Sequence, residues 1–183
     1  HDGHLIDHIR ARGYEAHALP EPEAGASYEL DLTHAHWLGV DWQTDAEETR
    51  QALGRDAFDW LIVDHYAIDH RWESALRARC KRIMAIDDLA DRQHDCDLLL
   101  DQNYGSSSER YRGLVPADCM QCHGPEFALL KPVYAERRAQ LPARDGQVRR
   151  VLIYFGGGAD TVNLTSLAVQ AFRAPELAHI ELD

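Results

Sequence analysis

Short apolar runs, each closed by acidic or amide residues, alternate along this chain with stretches of helical periodicity. Leu5, Ile6 and Ile9 recur at helical spacing with Gly13 as the stop, and Tyr14 to Leu19 then reads as a strand. Pro20 to Gly25 is loop by composition, and Tyr28 to Trp42 carries too little periodicity to assign. Thr44 or Asp45 is the expected cap of a helix through Leu53, with Glu47 and Glu48 in its first turn. Asp59 to Asp64 (DWLIVD), Arg82 to Asp87 (RIMAID) and Asp97 to Asp101 (DLLLD) read as strands, although the last is too short to separate a strand from a buried helix. Between the first two, Asp69 caps a predicted helix carrying Trp72, Ala75 and Leu76.

Tyr104 to Gly113 is a polar connection rich in Ser, Phe127 to Gln140 reads as helical despite Pro132, and Leu141 to Gln147 has the composition of a linker. Val151 to Phe155 then reads as a buried strand that runs into Gly156, Gly157 and Gly158, with a helix from about Asn163 to Phe172. Strands alternating with helices predict an α/β fold, a Rossmann-like parallel sheet with flanking helices. Ligands of such sheets bind outside the carboxyl ends of the strands. That rule singles out Asp64-His65-Tyr66, Asp87-Asp88, Asp101-Gln102-Asn103 and the three glycines.

Composition narrows the function classes. A formal net charge of −12 argues against a nucleic-acid footprint, which needs clustered Lys and Arg. No apolar run approaches the roughly 20 residues of a membrane-spanning helix, and HDGHLIDHIRARG is unlike a signal peptide. Four cysteines without an export signal point to free thiols and a cytoplasmic location. The chain opens directly on a helical pattern and closes on HIELD, a strand barely begun, so a piece of a larger protein is expected.

Each polar cluster has a chemical and a bland reading. Asp64, His65 and Tyr66 supply a carboxylate, an imidazole and a phenol for acid–base work or substrate contact; otherwise they cap the next element. Asp87 and Asp88 either bind a metal or share a proton as a carboxylate pair, or Asp88 caps the turn before Leu89 while Asp87 satisfies backbone donors. Gln102 and Asn103 suit recognition of an acetamido or uracil group, or simply form a turn. The glycines allow a phosphate to approach the main chain at a helix N-terminus, with Asn163 nearby, or make a tight connection. Cys119-x-x-Cys122-His123, with Cys96 and His94 as possible partners, lacks a second matched pair, so these read as ordinary cysteines and no metal is expected.

LIVDHYAIDHRWESALR (61 to 77), IDDLADRQHDCDLLLDQN (86 to 103), GPEFALLKPVY (124 to 134) and LIYFGGGADTVNLT (152 to 165) together resemble the UDP-2,4-diacetamido-2,4,6-trideoxy-β-L-altropyranose hydrolases of the pseudaminic acid pathway. HDGHLIDHIRARGYEAHALP is similar to that family's second helix-and-strand unit. The resemblance implies a GT-B-type architecture of two Rossmann-like domains facing a cleft. Here it implies an N-terminal domain with linker over 1–146 and the start of a nucleotide-binding domain over 147–183, truncated at both ends. It also implies release of UDP by water attack at the anomeric carbon with inversion, a small-molecule nucleotide sugar as the ligand, and no obligatory cofactor.

On that resemblance Tyr66 and His65 are the catalytic candidates. Asp64, Asp87, Asp88, Gln102 and Asn103 are substrate-binding, and Gly156, Gly157, Gly158 and Asn163 hold phosphate. The family's N-terminal G-x-G-H-x-x-R loop, whose His is its presumed general base, has no counterpart in this sequence, so the chain alone is expected to be inactive. A GT-B glycosyltransferase with a UDP-sugar donor and a non-catalytic nucleotide-sugar binding module remain as alternatives.

Overall fold

A computed structural model describes residues 5–22, 31–155 and 163–183. The described chain divides into two compact units, His1–Leu130 and Lys131–Asp183. The first unit holds α1 (Ile6–Ala11), α2 (Trp42–Ala52), β1 (Phe58–Val63), α3 (His70–Leu76), β2 (Cys80–Ile86), β3 (Leu98–Asp101) and β4 (Met120–His123). The four strands form an all-parallel sheet in the order β1-β2-β3-β4. The fold is therefore α/β and consistent with a Rossmann-like sheet. Strand order follows sequence order throughout this sheet, so its four strands deliver their carboxyl ends to one edge without a topological reversal.

Alternation along the strands decides what is buried. Val63, Ile83, Ala85 and Leu99 pack with Trp72 and Leu76 of α3, Ala46 of α2 and Tyr111 into one core cluster. The opposite set on β1, Phe58, Trp60 and Ile62, is exposed, with the Arg82 guanidinium 5.5 Å from the Trp60 ring centroid. Helix α3 begins as expected, because the Asp69 carboxylate accepts the Arg71 N–H at 2.9 Å. Its buried face differs from the expected one: Ala75 is exposed and Glu73 is fully buried between Trp72 and Leu76.

Several boundaries also differ for definable reasons. Helix α2 is capped by Asp41, whose two carboxylate oxygens accept from the Thr44 amide and hydroxyl at 2.8 and 2.9 Å, so it starts earlier than a Thr44 or Asp45 cap implies. Tyr14 to Leu19 is irregular, since no described strand lies beside it to complete a ladder. Pro132 is the first helical residue of α4 (Pro132–Gln140), where its missing N–H costs nothing; Phe127 belongs to a separate 3₁₀ turn, Pro125–Phe127. In the second unit β5 (Arg150–Val151) pairs in parallel with β6 (Glu181–Leu182), so HIELD does begin a strand. The expected buried strand from Val151 to Phe155 is instead two residues long, and Tyr154 is 71% exposed. A two-stranded ladder is too small to bury that run. Helix α5 spans Leu164–Ala171, with Asn163 before it in the left-handed conformation at φ 57°. Gly156, Gly157 and Gly158 lie outside the described residues.

Parallel neighbours usually need a helical crossover, yet β2 to β3 and β3 to β4 are joined by turns. Buried polar groups fill the space instead. Glu73 takes His94 Nδ1 at 2.8 Å on one carboxylate oxygen and the Asp95 amide on the other, tying α3 to the β2–β3 connection. Beside it, Arg77 reaches Asp95 at 2.8 Å and Asp97 at 2.6 Å.

Glu73→Ala leaves an imidazole and a backbone N–H without partners in a dry interior, which costs about 3 kcal/mol. Urea unfolding followed by tryptophan fluorescence measures this in the first unit alone, because Trp37, Trp42, Trp60 and Trp72 all belong to it. A loss below about 1 kcal/mol would remove Glu73 from the set of essential contacts.

Acid acts through Asp87 and Asp97. Burial alone pushes the Asp87 carboxyl up, but the Ala90 N–H and the Arg92 charge outweigh it and hold it below its ordinary value of 3.8. Asp97 is likewise desolvated yet lowered by the Ile83 amide and Arg77. Both folded values lie below the unfolded ones, so the stabilisation is complete only above about pH 5 and is lost as pH falls through the unfolded and then the folded values. Urea midpoints should therefore fall between about pH 5 and about pH 3, and Asp87→Asn should flatten that dependence.

Candidate functional site

The carboxyl edge of the sheet is where β1, β2 and β3 hand over to polar residues. After Val63 come Asp64, His65 and Tyr66; after Ile86, Asp87 and Asp88; after Asp101, the last residue of β3, Gln102 and Asn103. The register places these ends side by side, with Ile62 opposite Met84 and Ile86 opposite Leu100. A cavity of about 120 Å³ opens there, lined by Asp64, Tyr66, Asp87, Asp88, Gln102 and Leu129 among others. Five residues marked out by the strand-end rule thus share one small cavity.

The individual side chains have distinct duties. Tyr66 is half-buried, and the neighbouring Asp88 carboxylate, followed by burial, pushes its phenol up to about 12. At neutral pH it keeps its proton and serves as a hydrogen-bond donor. His65 turns its Nδ1 toward the Ala67 amide at 3.1 Å, which forms the turn between Asp64 and Ile68. Burial lowers its pKa, so the ring is neutral with the proton on Nε2. His65 does not line the cavity.

Asp87 is fully buried. Its Oδ2 accepts from the Ala90 amide at 2.9 Å and the Tyr111 hydroxyl at 3.1 Å, while Arg92 Nη1 lies 2.7 Å from Oδ1. The bland alternative is thus met by Asp87 itself, which organises the turn that Asp88 was expected to cap. Asp88 stands beyond it, with Oδ2 taking the Asn103 side-chain amide at 3.1 Å and Oδ1 without a partner among the described residues. Asn103 accordingly positions Asp88 and is not a lining residue. Gln102 Oε1 accepts the Leu129 amide at 2.9 Å, holding Leu129 at the cavity and leaving the Gln102 amide hydrogens as donors.

Sequence reasoning missed the supports beneath this edge. Arg92 is buried, and besides Asp87 it donates to the carbonyls of Ile68 at 2.7 Å and His65 at 3.4 Å, bracing the turn that carries Tyr66. Tyr111 is fully buried with its hydroxyl shared between Asp87 and Asp101, and burial first, then those carboxylates, raises its pKa. Asp101 also accepts from the Asn103 amide, the Ser106 hydroxyl and Arg110 at 3.1, 2.6 and 2.7 Å. A buried arginine and tyrosine within polar connections leave no periodic trace by which to find them.

Asn163 is exposed and makes no side-chain cap, and the glycines that would form the phosphate turn are not described. Cys119 lies 3.6 Å from Cys96 Sγ to Sγ rather than joining Cys122, and all four cysteines are free. Among the described residues, no group of three or more His, Cys, Asp or Glu is arranged to hold a metal ion, and no helix is long and apolar enough to cross a membrane.

No family model matches the chain. Over 115 residues, 62% of its length, the chain is 29% identical to the UDP-2,4-diacetamido-2,4,6-trideoxy-β-L-altropyranose hydrolase of Campylobacter jejuni. The match spans 40% of that protein. An identity of this size and extent supports a distant relationship to a nucleotide-sugar hydrolase.

Proposed function

We propose that this chain contributes the sugar-binding side of a nucleotide-sugar hydrolase that splits UDP-2,4-diacetamido-2,4,6-trideoxy-β-L-altropyranose, or a close analogue, into UDP and the free sugar. The observation that carries the reading is the cavity at the carboxyl edge, which gathers Asp64, Tyr66, Asp88 and Gln102 from three successive strand ends. The distant relative's name supplies the substrate class.

The chemistry of the lining suits the sugar rather than the diphosphate. Asp64, Asp87 and Asp88 line it, and neither Lys nor Arg does. Carboxylates accept from hydroxyl and acetamido N–H groups and repel phosphate oxygens. The Gln102 amide donates to an acetamido carbonyl, and the Tyr66 O–H donates to a sugar or water oxygen. Hydrolysis with inversion requires water opposite the departing UDP, and a protonated Tyr66 orients such a water without abstracting its proton. His65 acts through the turn it forms. The diphosphate then needs donors elsewhere, for which Gly156 to Gly158 and Asn163 are the proposed source.

The decisive assay is UDP release from the UDP-diacetamido sugar without any acceptor, using protein expressed from the full reading frame. Tyr66→Phe should lower kcat about tenfold or more with little change in KM, as expected for a group acting mainly on the transition state. Wild-type kinetics in that variant would remove Tyr66 from the site. Turnover that depends on an acceptor would make the protein a transferase, and binding without turnover a binding module.

A further inference from the structure

Beside this cavity stands a cluster of aromatic rings. Trp37 ends a 3₁₀ turn, Ala35–Trp37, closed by its own N–H on the His34 carbonyl at 2.9 Å. In a 3₁₀ turn, side chains three residues apart eclipse, so His34 and Trp37 are brought together. Their ring centroids lie 4.8 Å apart at 51°. Tyr66 closes a triangle, 5.5 Å from His34 at 40° and 5.7 Å from Trp37 at 45°, so each ring is tilted against the other two.

The turn is held from below and behind. Ala35 is buried, and Gly39 adopts φ +79° where a Cβ would sit 2.9 Å from Pro22 Cγ. Yet Trp37 is 53% exposed. A large ring kept in a fixed orientation by three other rings, His34, His36 and Tyr66, with half its surface in water, gains little from burial and much from a flat partner.

We propose that the exposed Trp37 ring, held by His34 and Tyr66, is a shelf on which the apolar face of a 2-acetamido pyranose stacks, while the sugar's polar groups reach Asp64, Asp88 and Gln102. Tyr66 joins the two, being a ring of the cluster and a lining residue of the cavity. One pyranose face presents C–H groups that favour the electron-rich ring face, and its equatorial hydroxyl and amide hydrogens point outward toward acceptors. The carboxylates select this ligand over a nucleotide. The inference rests on the proposed function and deepens it, making Trp37 a specificity-determining residue.

Saturation-transfer NMR on the 183-residue chain, irradiating aromatic protons, tests it with N-acetylglucosamine and uridine monophosphate as separate probes. Transfer to the sugar's ring protons is expected, with none to the nucleotide. Trp37→Ala should weaken sugar binding about fivefold, and Trp37→Phe should retain most of it. Trp60→Ala, an exposed tryptophan on the other face of the sheet, should leave it unchanged, and circular dichroism checks that each variant is folded.

If Gln102→Ala weakens sugar binding and folded Trp37→Ala does not, the shelf is overturned and the hydrolase reading stands. Absence of transfer to the sugar in the unaltered chain overturns both. Transfer to the nucleotide that is lost with Trp37→Ala overturns the sugar shelf in favour of a base-stacking one.

Discussion

The ion pair between Arg92 and Asp87 is the contact on which the rest of the first unit depends. Two parallel connections run without helices, and beside the apolar side chains they send into the core, the ends of β2 and β3 place carboxylates in the interior. Asp87 and Asp101 close β2 and β3 there, both fully buried. Two carboxylates in a dry interior repel each other and lose hydration, and each needs charge and hydrogen bonds to remain ionised. Arg92 supplies the charge to Asp87, Arg110 supplies it to Asp101, and the Tyr111 hydroxyl lies between them. Because Arg92 also holds the carbonyls of His65 and Ile68, the same guanidinium fixes the turn bearing Tyr66. Structural and candidate chemical residues are thus coupled by shared hydrogen bonds.

The sequence was most legible where physics is local. DWLIVD, RIMAID and DLLLD are apolar runs of strand length, and each is a strand to within two residues. Asp69 caps its helix because the short side chain reaches an adjacent amide, a relation visible in the spacing alone. Met120–His123 escaped notice because MQCH has no β-branched residue and sits at the edge of the sheet, where half-burial tolerates Gln and His. Glu73 has no sequence signal of burial, since an acidic residue is ordinarily solvated; only the partners His94 and Asp95, 21 and 22 residues on, make its burial tolerable.

The candidate site was legible through topology rather than through motif. A parallel sheet puts all carboxyl ends on one edge, so a rule about strand ends found Asp64, Tyr66, Asp87, Asp88 and Gln102 before any contact was known. It did not sort them. His65 and Asn103 lie at the same edge and are spent on a turn and on Asp88, respectively. Trp37 and His34 were invisible to that rule because they belong to no strand. They reach Tyr66 through a 3₁₀ turn in a stretch without hydrophobic period.

The surplus of acceptors at this edge bears on how a hydrolase of this kind would divide its labour. A nucleotide sugar carries a diphosphate at one end of the scissile bond and a pyranose with donor groups at the other. Carboxylates close to the diphosphate would oppose binding, and cations close to the leaving group would be needed to stabilise it. A cavity lined by Asp64, Asp87 and Asp88, with the cation Arg92 already committed to Asp87, suits only the pyranose end. Placing acceptors and phosphate donors on separate surfaces lets each be optimised without neutralising the other. In such an enzyme catalysis would depend on both surfaces holding one substrate at once, so an acidic edge alone would bind a sugar without cleaving it.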